Sequence, residues 1–257
     1  MSQPLTDAIN ALTTYANEIT GKNDTNLSDA VGNLVDGYGG GSGGDDSLFL
    51  SILDRSVVTI DSEEITKLGK SALNDCSNLV SINLPNLTQI TGENSISHTG
   101  LTTLYLPNLI SMVSKSIINN SNLLYLILPK CTSNGWHMYR SHSSLLAADF
   151  TDVPGFGPDS FNGNSKMSTL IIRKTDSIAT LANVNVFANC PFASNGTGGI
   201  LYVPESLISS YQSATHWSTI LGYTNNQIKS IESTHTDPNA SIDLTLYYAD
   251  GTPIPSD

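Results

Sequence analysis

The sequence predicts an α+β protein dominated by a β-solenoid, in which about six coils of 22 residues stack on one another. A coil starts with an apolar residue, and two more apolar positions follow it three and five residues later. In the third coil these two positions are Leu104 and Leu106. Unrelated helices or strands would not hold one register over so many positions. The apolar residues that start the coils recur at a period of 22: Val57, Leu79, Leu101, Leu123, Leu145 and Met167.

The pattern inside each coil predicts a short strand that ends in a turn. Side chains alternate across a strand, so the residues three and five after the start face the same side. Parallel stacking at about 4.8 Å per coil would bury them in one sheet that lines a continuous core. Pro85, Pro107 and Pro129 follow three consecutive strands and end the pairing. The predicted strands lie near residues 58–62, 80–84, 102–106, 124–128, 146–150 and 168–172.

The runs LVSINLPNLTQI, LTTLYLPNLISM and LLYLILPK resemble the BspA-like class of leucine-rich repeat, which is known from bacterial surface antigens. The stretch that begins GGILYVPESLISSYQSATHWSTI is similar to the end cap of such arrays. The resemblance implies a leucine-rich-repeat array over residues 47–232, with a C-terminal cap at 199–232. It implies a binding role without naming a ligand, because one fold supports many functions. The fifth repeat and the long segment between Met167 and Gly199 depart from the pattern, and local bulges are expected there.

The sequence of residues 1–36 predicts a helical hairpin, and that of residues 37–46 predicts a flexible Gly/Ser linker. The first helix spans residues 4–20, and the second begins at Ser28 and ends at Asp36. A hairpin of this size buries too little surface to be stable alone. It therefore requires a partner, which is another protein, another copy of the chain or the solenoid. The apolar residues expected to make that contact are Leu5, Ile9, Leu12, Ile19 and Leu34.

The same segment resembles the N-terminal modules of phage and prophage virion proteins, through a T-G-K-x-D turn at residues 20–24 and the glycine tract. This resemblance implies that residues 1–36 bind other virion proteins and that the solenoid adheres to a host surface. The module would belong to a tail fibre, a baseplate or a capsid decoration. The alternative is a secreted or cell-surface bacterial adhesin of the BspA-like class. The N-terminus lacks the basic and apolar regions of a secretory signal, so a virion assembled in the bacterial cytoplasm is the expected location.

Composition and motifs exclude several other classes of function. Eleven Lys and Arg residues against 23 Asp and Glu residues give a net charge of −12, which disfavours binding to nucleic acid or anionic lipid. The sequence contains no window of 18 consecutive apolar residues, so it does not predict a segment that inserts in a membrane. The chain has no nucleophile elbow, HExxH, P-loop or Rossmann motif. His98 and His142 share a repeat position but lie two coils, about 10 Å, apart. We therefore predict a protein that is not an enzyme and that has no cofactor and no metal site.

The outward positions of the strands supply the candidate binding residues. In the middle coils these positions hold Tyr105, Tyr125 and Ile127, an apolar patch among polar residues. Such a patch suits recognition of a host-surface protein or glycan. The alternative is that the face is covered, either by a neighbouring subunit in a homo-oligomer or by the chain's own residues 233–257. This C-terminal tail alternates apolar residues and could add a strand or hairpin.

Overall fold

The computed structural model describes residue 14 and residues 51–52, 54–193, 199–221 and 227–231. Within these residues it is a β-solenoid of about six parallel coils with few helices, as the repeat predicted. The predicted linker and tail, and the hairpin except for Thr14, lie outside the described residues. The part of the chain that the structure describes contains no helix long and apolar enough to cross a membrane.

One strand opens each coil, and every one of these strands lies inside its predicted span. Each pairs in parallel with the strand 22 residues away, for example Thr103 with Tyr125 and Ala147 with Thr169. The repeat length in the sequence is therefore the register of the sheet. The opening strands are β1 (Thr59–Asp61), β3 (Ser81–Asn83), β6 (Thr103–Tyr105), β9 (Tyr125–Leu128), β10 (Ala147–Phe150) and β12 (Thr169–Ile172).

The prediction of one sheet through all six coils is wrong at the junction between the second and third coils. Strands β1 and β3 form a separate two-stranded sheet, whereas β6, β9, β10 and β12 continue through β14 (Ile200–Val203) and β15 (Ile228–Ser230). The two coils nevertheless stay stacked, because Asn108 Nδ2 donates to the Pro85 carbonyl at 2.8 Å. The core is therefore continuous even though the main sheet is divided.

Shorter strands line the remaining sides of the coils. A three-stranded parallel sheet joins β2 (Lys67–Leu68), β4 (Gln89–Ile90) and β7 (Ser111–Met112), and it crosses the junction at which the main sheet divides. Two-stranded sheets join β5 (Ile96–Ser97) with β8 (Ile117–Ile118) and β11 (Gly155–Phe156) with β13 (Thr180–Leu181). These extra pairings hold neighbouring coils together on more than one side.

The core changes from aliphatic to aromatic along the solenoid. In the third coil it is filled by leucines such as Leu104 and Leu106, both fully buried. From the fourth coil onward, the aromatic rings contact one another in series, and Phe161 stacks on Phe187 with centroids 5.1 Å apart. The fifth repeat departed from the leucine pattern because Phe150 and Phe156 take the apolar positions there, with their rings edge to face at 5.2 Å.

The C-terminal end of the array is closed by a long coil and two short helices. Thr169 of β12 pairs with Ile200 of β14, so this coil is longer than 22 residues. The inserted chain holds two 3-10 helices, Val184–Phe187 and Pro191–Ala193. Beyond β14 lie a 3-10 helix (Glu205–Leu207), α1 (Ile208–Ser213) and α2 (Trp217–Leu221).

Two buried aromatic side chains attach these helices to the solenoid through a single residue. Trp217 Nε1 donates to the Ala179 carbonyl at 2.7 Å, and Tyr211 Oη accepts from the Ala179 N–H at 2.8 Å. Ala179 directly precedes β13, and these two side chains pair both of its backbone groups. The expected cap segment thus packs onto the last coil through specific hydrogen bonds as well as apolar contact.

The turns between coils hold non-glycine residues in the left-handed region at a recurring position. Asn119 (φ 58°), Ser141 (φ 62°) and Gly163 (φ 82°) occupy successive coils. A residue with a Cβ atom is disfavoured there, while glycine adopts this conformation freely. We expect Ser141→Gly to raise the free energy of unfolding by about 0.5–1 kcal/mol, as measured by urea denaturation. Gly163→Ala, the matched change in the next coil, should lower it by about 1 kcal/mol, and a stabilising Gly163→Ala would contradict the assignment.

Candidate binding surfaces

The outer face of the six-stranded sheet holds the three residues that the sequence proposed for binding. Strand β6 pairs with β9 so that Tyr105 lies opposite Ile127 and Thr103 lies opposite Tyr125. All three belong to a hydrophobic cluster that is separate from the core, and the structure brings them together. The members of this outer cluster are Tyr105, Tyr125, Ile127, Ile171, Ile200, Tyr202 and Ile231.

The expectation that Ile127 is exposed is wrong. Ile127 is only 4% exposed, and Ile171 and Tyr202 on the same face are 0% and 3% exposed. Tyr105 and Tyr125 are half-buried. Periodicity identified the face correctly, but it carries no information on what lies over that face. The alternative of a covered face therefore describes the structure better than an open recognition patch.

A buried ion pair lies in the centre of the outer face. Asp149 is 4% exposed, and Arg173 holds its carboxylate through Nη2 at 2.8 Å and Nε at 3.0 and 3.1 Å. Burial raises the pKa of Asp149, and the Arg173 guanidinium opposes that effect. The two-point contact supplies donors to a carboxylate that has lost its water. The charge is thus satisfied within the face and offers little to an external ligand.

A second surface, which the sequence analysis missed, lies along the turns of the second to fifth coils. We call it the Trp136 ridge, and it consists of Glu93, Lys115, Trp136, His137 and Asp159. The Trp136 side chain is 48% exposed. The Lys115 ammonium lies 4.6 Å from the Trp136 ring centroid and 3.9 Å from Glu93 Oε1. His137 places its ring 4.7 Å from that of Trp136 and its Nε2 atom 3.5 Å from Asp159 Oδ2.

Turn geometry positions the residues of the Trp136 ridge. Lys115, His137 and Asp159 occupy the left-handed conformation in successive coils, with φ values of 59°, 53° and 55°. Gly135 allows the turn before Trp136 to approach the preceding coil, since a Cβ atom there would lie 2.7 Å from Ser114 Oγ. The Asn-Gly-Trp run of the sequence was a readable signal of a turn that presents an aromatic ring. Strand periodicity does not report the direction of a turn side chain, so this signal was missed.

The cysteine thiols and the His142 imidazole lie in the interior of the solenoid. Cys76, Cys131 and Cys190 are buried, and burial raises the pKa of each thiol, to about 12 for Cys190. Burial also lowers the pKa of His142 to about 4. Within the described ranges, no group of three or more His, Cys, Asp and Glu side chains could hold a metal ion.

The proposed anchoring residues Leu5, Ile9, Leu12, Ile19 and Leu34 lie outside the described residues. From the predicted first helix, the structure describes only Thr14, which is helical and exposed.

Comparison with known proteins identifies the repeat. A family model for the BspA-type leucine-rich repeat region matches in six copies, over residues 45–124 and 66–194, which together span more than half of the chain. A comparison with curated protein sequences gave no match.

Solved structures with a similar fold include a vaccine antigen and a leucine-rich repeat protein. The pneumococcal vaccine antigen PcpA is 15% identical with a TM-score of 0.39, and the alignment covers 68% of this chain and 40% of PcpA. A leucine-rich repeat protein from Bacteroides ovatus is 14% identical with a TM-score of 0.30, and 69% of this chain and 58% of that protein are covered. This chain therefore spans less than two thirds of the length of either protein.

Proposed function

Since this chain belongs to the BspA-type leucine-rich repeat family, we propose that it is a recognition protein that binds a protein or glycan on a cell surface. The observation that carries this proposal is the exposed indole of Trp136, held between a cation and an imidazole on a rigid turn. An indole offers a large contact area with few rotatable bonds, so little entropy is lost when a ligand packs on it.

The groups beside Trp136 supply polar contacts of both signs. The carboxylates of Glu93 and Asp159 accept hydrogen bonds from hydroxyl or amide donors, and Lys115 donates to acceptors. Ile110 and Val113, which are 50% and 40% exposed, lie on the chain segment that leads to Lys115. A ring bordered by donors and acceptors suits a sugar face or a protein side chain in the same way.

We propose a protein that binds without catalysing a reaction. Buried thiols whose pKa values are raised remain protonated and do not act as nucleophiles near neutral pH. The Trp136 ridge holds an imidazole and carboxylates, but no hydroxyl or thiol nucleophile lies among its five residues. These features support contact recognition as the role of the described surfaces.

For the biological setting we propose a secreted or cell-surface bacterial adhesin. A virion protein of a tail fibre, baseplate or capsid is the second candidate, and it is favoured by one observation, the sequence of residues 1–36. That segment precedes the residues matched by the family model. Mass spectrometry of the surface fraction of producing cells and of purified virions separates the two candidates, because the protein should be enriched in only one of these samples.

Trp136→Ala is expected to weaken binding by about 2 kcal/mol, or roughly 30-fold, if the ring is the centre of the contact. The thermal stability should barely change, because the ring is largely exposed. The measurement is binding of the full chain to immobilised host-surface fractions and to a glycan array, together with a thermal melt.

The matched control for this prediction is Val58→Ala, which removes another exposed apolar side chain, 53% exposed, in the first coil, three coils before that of Trp136. It should bind as wild type does. The variant Tyr105→Ala/Tyr125→Ala tests the surface that the sequence first proposed. Loss of binding in this variant, with wild-type binding by Trp136→Ala, would move the site to the sheet face and overturn the assignment to the ridge.

A further inference from the structure

The outer face of the six-stranded sheet is buried, although no described element lies over it. Six of the eight outward side chains on the four inner strands are buried, including Ala147 at 1% and Ile171 at 0%, while Tyr125 and Ile200 are half-buried. The corresponding outward residues of the first two coils, Asp61 and Asn83, are exposed. Among the described residues, the outer cluster contains only outward positions of the sheet itself and Ile231, which follows β15. Side chains that point away from a sheet lose contact with water only when another layer covers them.

We propose that the amphipathic helix predicted over residues 4–20 packs across this outer face and forms the second layer of the solenoid domain. The hairpin needs a partner, and the outer face needs a cover. A single contact between the two satisfies both requirements. The residues that would make it are the apolar stripe of the helix: Leu5, Ala8, Ile9, Leu12, Ala16 and Ile19.

The dimensions of the stripe and of the buried face agree. The stripe runs from Leu5 to Ile19, which is about 21 Å along a helix axis. Six strands at about 4.8 Å spacing span about 24 Å, and the fully buried outward positions lie on the four inner strands. A helix about 10 Å wide also covers both outward rows of side chains, which are about 7 Å apart along each strand.

Thr14 is an independent observation on which side of this helix faces water. At 100° per residue, Thr14 lies opposite the apolar stripe, where the polar side of an amphipathic helix belongs. The structure describes Thr14 as helical and exposed. This is the exposure expected if the stripe faces the sheet and Thr14 faces water.

The other possible covers fit this face less well. An extended tail from residues 233–257 would leave N–H and C=O groups unpaired against an apolar surface, whereas a helix pairs its own. A second copy of the chain is unnecessary, because the face is already buried within one chain. Parallel sheets are commonly covered by helices on both faces. The inference places the predicted anchoring residues against the solenoid itself, and it does not depend on the proposed function of the Trp136 ridge.

A cysteine on the covered face reports whether the cover is present. In the full chain, Ala147→Cys places a thiol at a position that is 1% exposed. We expect its reaction with a maleimide to be slow. Adding Ile9→Asp/Leu12→Asp should accelerate labelling by a factor on the order of 100, because the charges weaken packing of the stripe. Thr14→Asp is the matched control on the opposite side of the helix and should leave the labelling rate unchanged.

Counting labels by mass spectrometry separates local opening from unfolding. The natural cysteines, Cys76, Cys131 and Cys190, are buried, so an opened face gives one label and an unfolded chain gives four. If the double aspartate variant unfolds, Ile9→Ala/Leu12→Ala replaces it, and faster single labelling is again expected.

Three outcomes would overturn the proposal. Fast labelling of the Ala147→Cys protein with residues 4–20 unchanged would show that the face is open. Slow labelling in both helix variants, with fast labelling in Leu244→Asp/Leu246→Asp, would assign the cover to the tail and also overturn it. A labelling rate that falls with protein concentration would assign the cover to a second copy.

Discussion

Leu104→Asp is expected to unfold the solenoid. Leu104 is fully buried in β6, directly beside Leu126 in the register of the sheet. An aspartate there would place a carboxylate in an apolar core without a partner, at a cost of several kcal/mol. That cost is comparable with the whole stability of a typical domain, about 5–15 kcal/mol. Since each coil is stabilised mainly by its neighbours, loss of the third coil should separate the two halves of the array.

Urea denaturation of the full chain, followed by circular dichroism, measures the effect of this substitution. Thr102→Asp is the matched control, because it introduces the same charge two residues earlier at an exposed position. Its free energy of unfolding should stay within about 0.5 kcal/mol of wild type. A Leu104→Asp variant that denatures at the wild-type urea concentration would show that the repeat register is wrong.

Acid should destabilise the protein through His142, which is fully buried and occupies a position that holds asparagine in the neighbouring coils. Asn120 Oδ1 accepts from the Thr99 N–H, and Asn164 Oδ1 accepts from the His142 N–H, at 2.9 and 2.7 Å. His142 continues this ladder, because its Nδ1 accepts from the Asn120 N–H at 3.1 Å. The proton of the neutral ring is therefore on Nε2. The Nε2 atom is buried.

Burial lowers the pKa of His142 from its ordinary 6.5 to about 4, so the folded state disfavours the charged ring. Above pH 6.5 the ring is neutral in the folded and unfolded states, and His142 does not reduce the free energy of unfolding. As the pH falls from 6.5 towards 4, the ring becomes protonated in the unfolded state first, and the free energy of unfolding decreases. Over that window the loss amounts to about 3 kcal/mol. Urea denaturation at a series of pH values between 7 and 4 measures it.

The variant His142→Asn isolates this contribution from the other titrating groups. An asparagine at this position can accept from the Asn120 N–H, as the asparagines of the neighbouring coils do, and it does not titrate. The difference in unfolding free energy between the variant and wild type should therefore grow in favour of the variant as the pH falls. A difference that is independent of pH would show that His142 is accessible to protons in the folded state.

The sequence predicted those parts of the fold that one local rule repeats. The 22-residue spacing of the leucines fixed the strands and their register, because pairing in a stacked solenoid occurs between equivalent positions of neighbouring coils. The Val-Pro strand and the following Tyr and Trp predicted the closing segment. The separation of β3 from β6 could not be predicted, since the two coils carry the same leucine and proline pattern on both sides of that junction.

The binding surfaces were harder to predict for two different reasons. The burial of Ile127 and Ile171 depends on which distant segment lies over the sheet, and periodicity is a local property. The exposure of Trp136 depends on a turn, where Gly135 and the left-handed residue His137 set the direction of the ring. The 22-residue spacing aligns Lys115, His137 and Asp159 at one turn position and points to Trp136 beside them.

We propose that the protein recognises its ligand through the Trp136 ridge while the outer sheet face stays covered. Hydroxyl-radical footprinting of the full chain, with and without bound host-surface material, tests this claim most directly. We predict rapid oxidation of Trp136 in the free protein, clear protection of Trp136 on binding, and little oxidation of Tyr202 in either state. Unchanged oxidation of Trp136 on binding, combined with new protection of Tyr105 and Tyr125, would contradict the account and place the ligand on the sheet face.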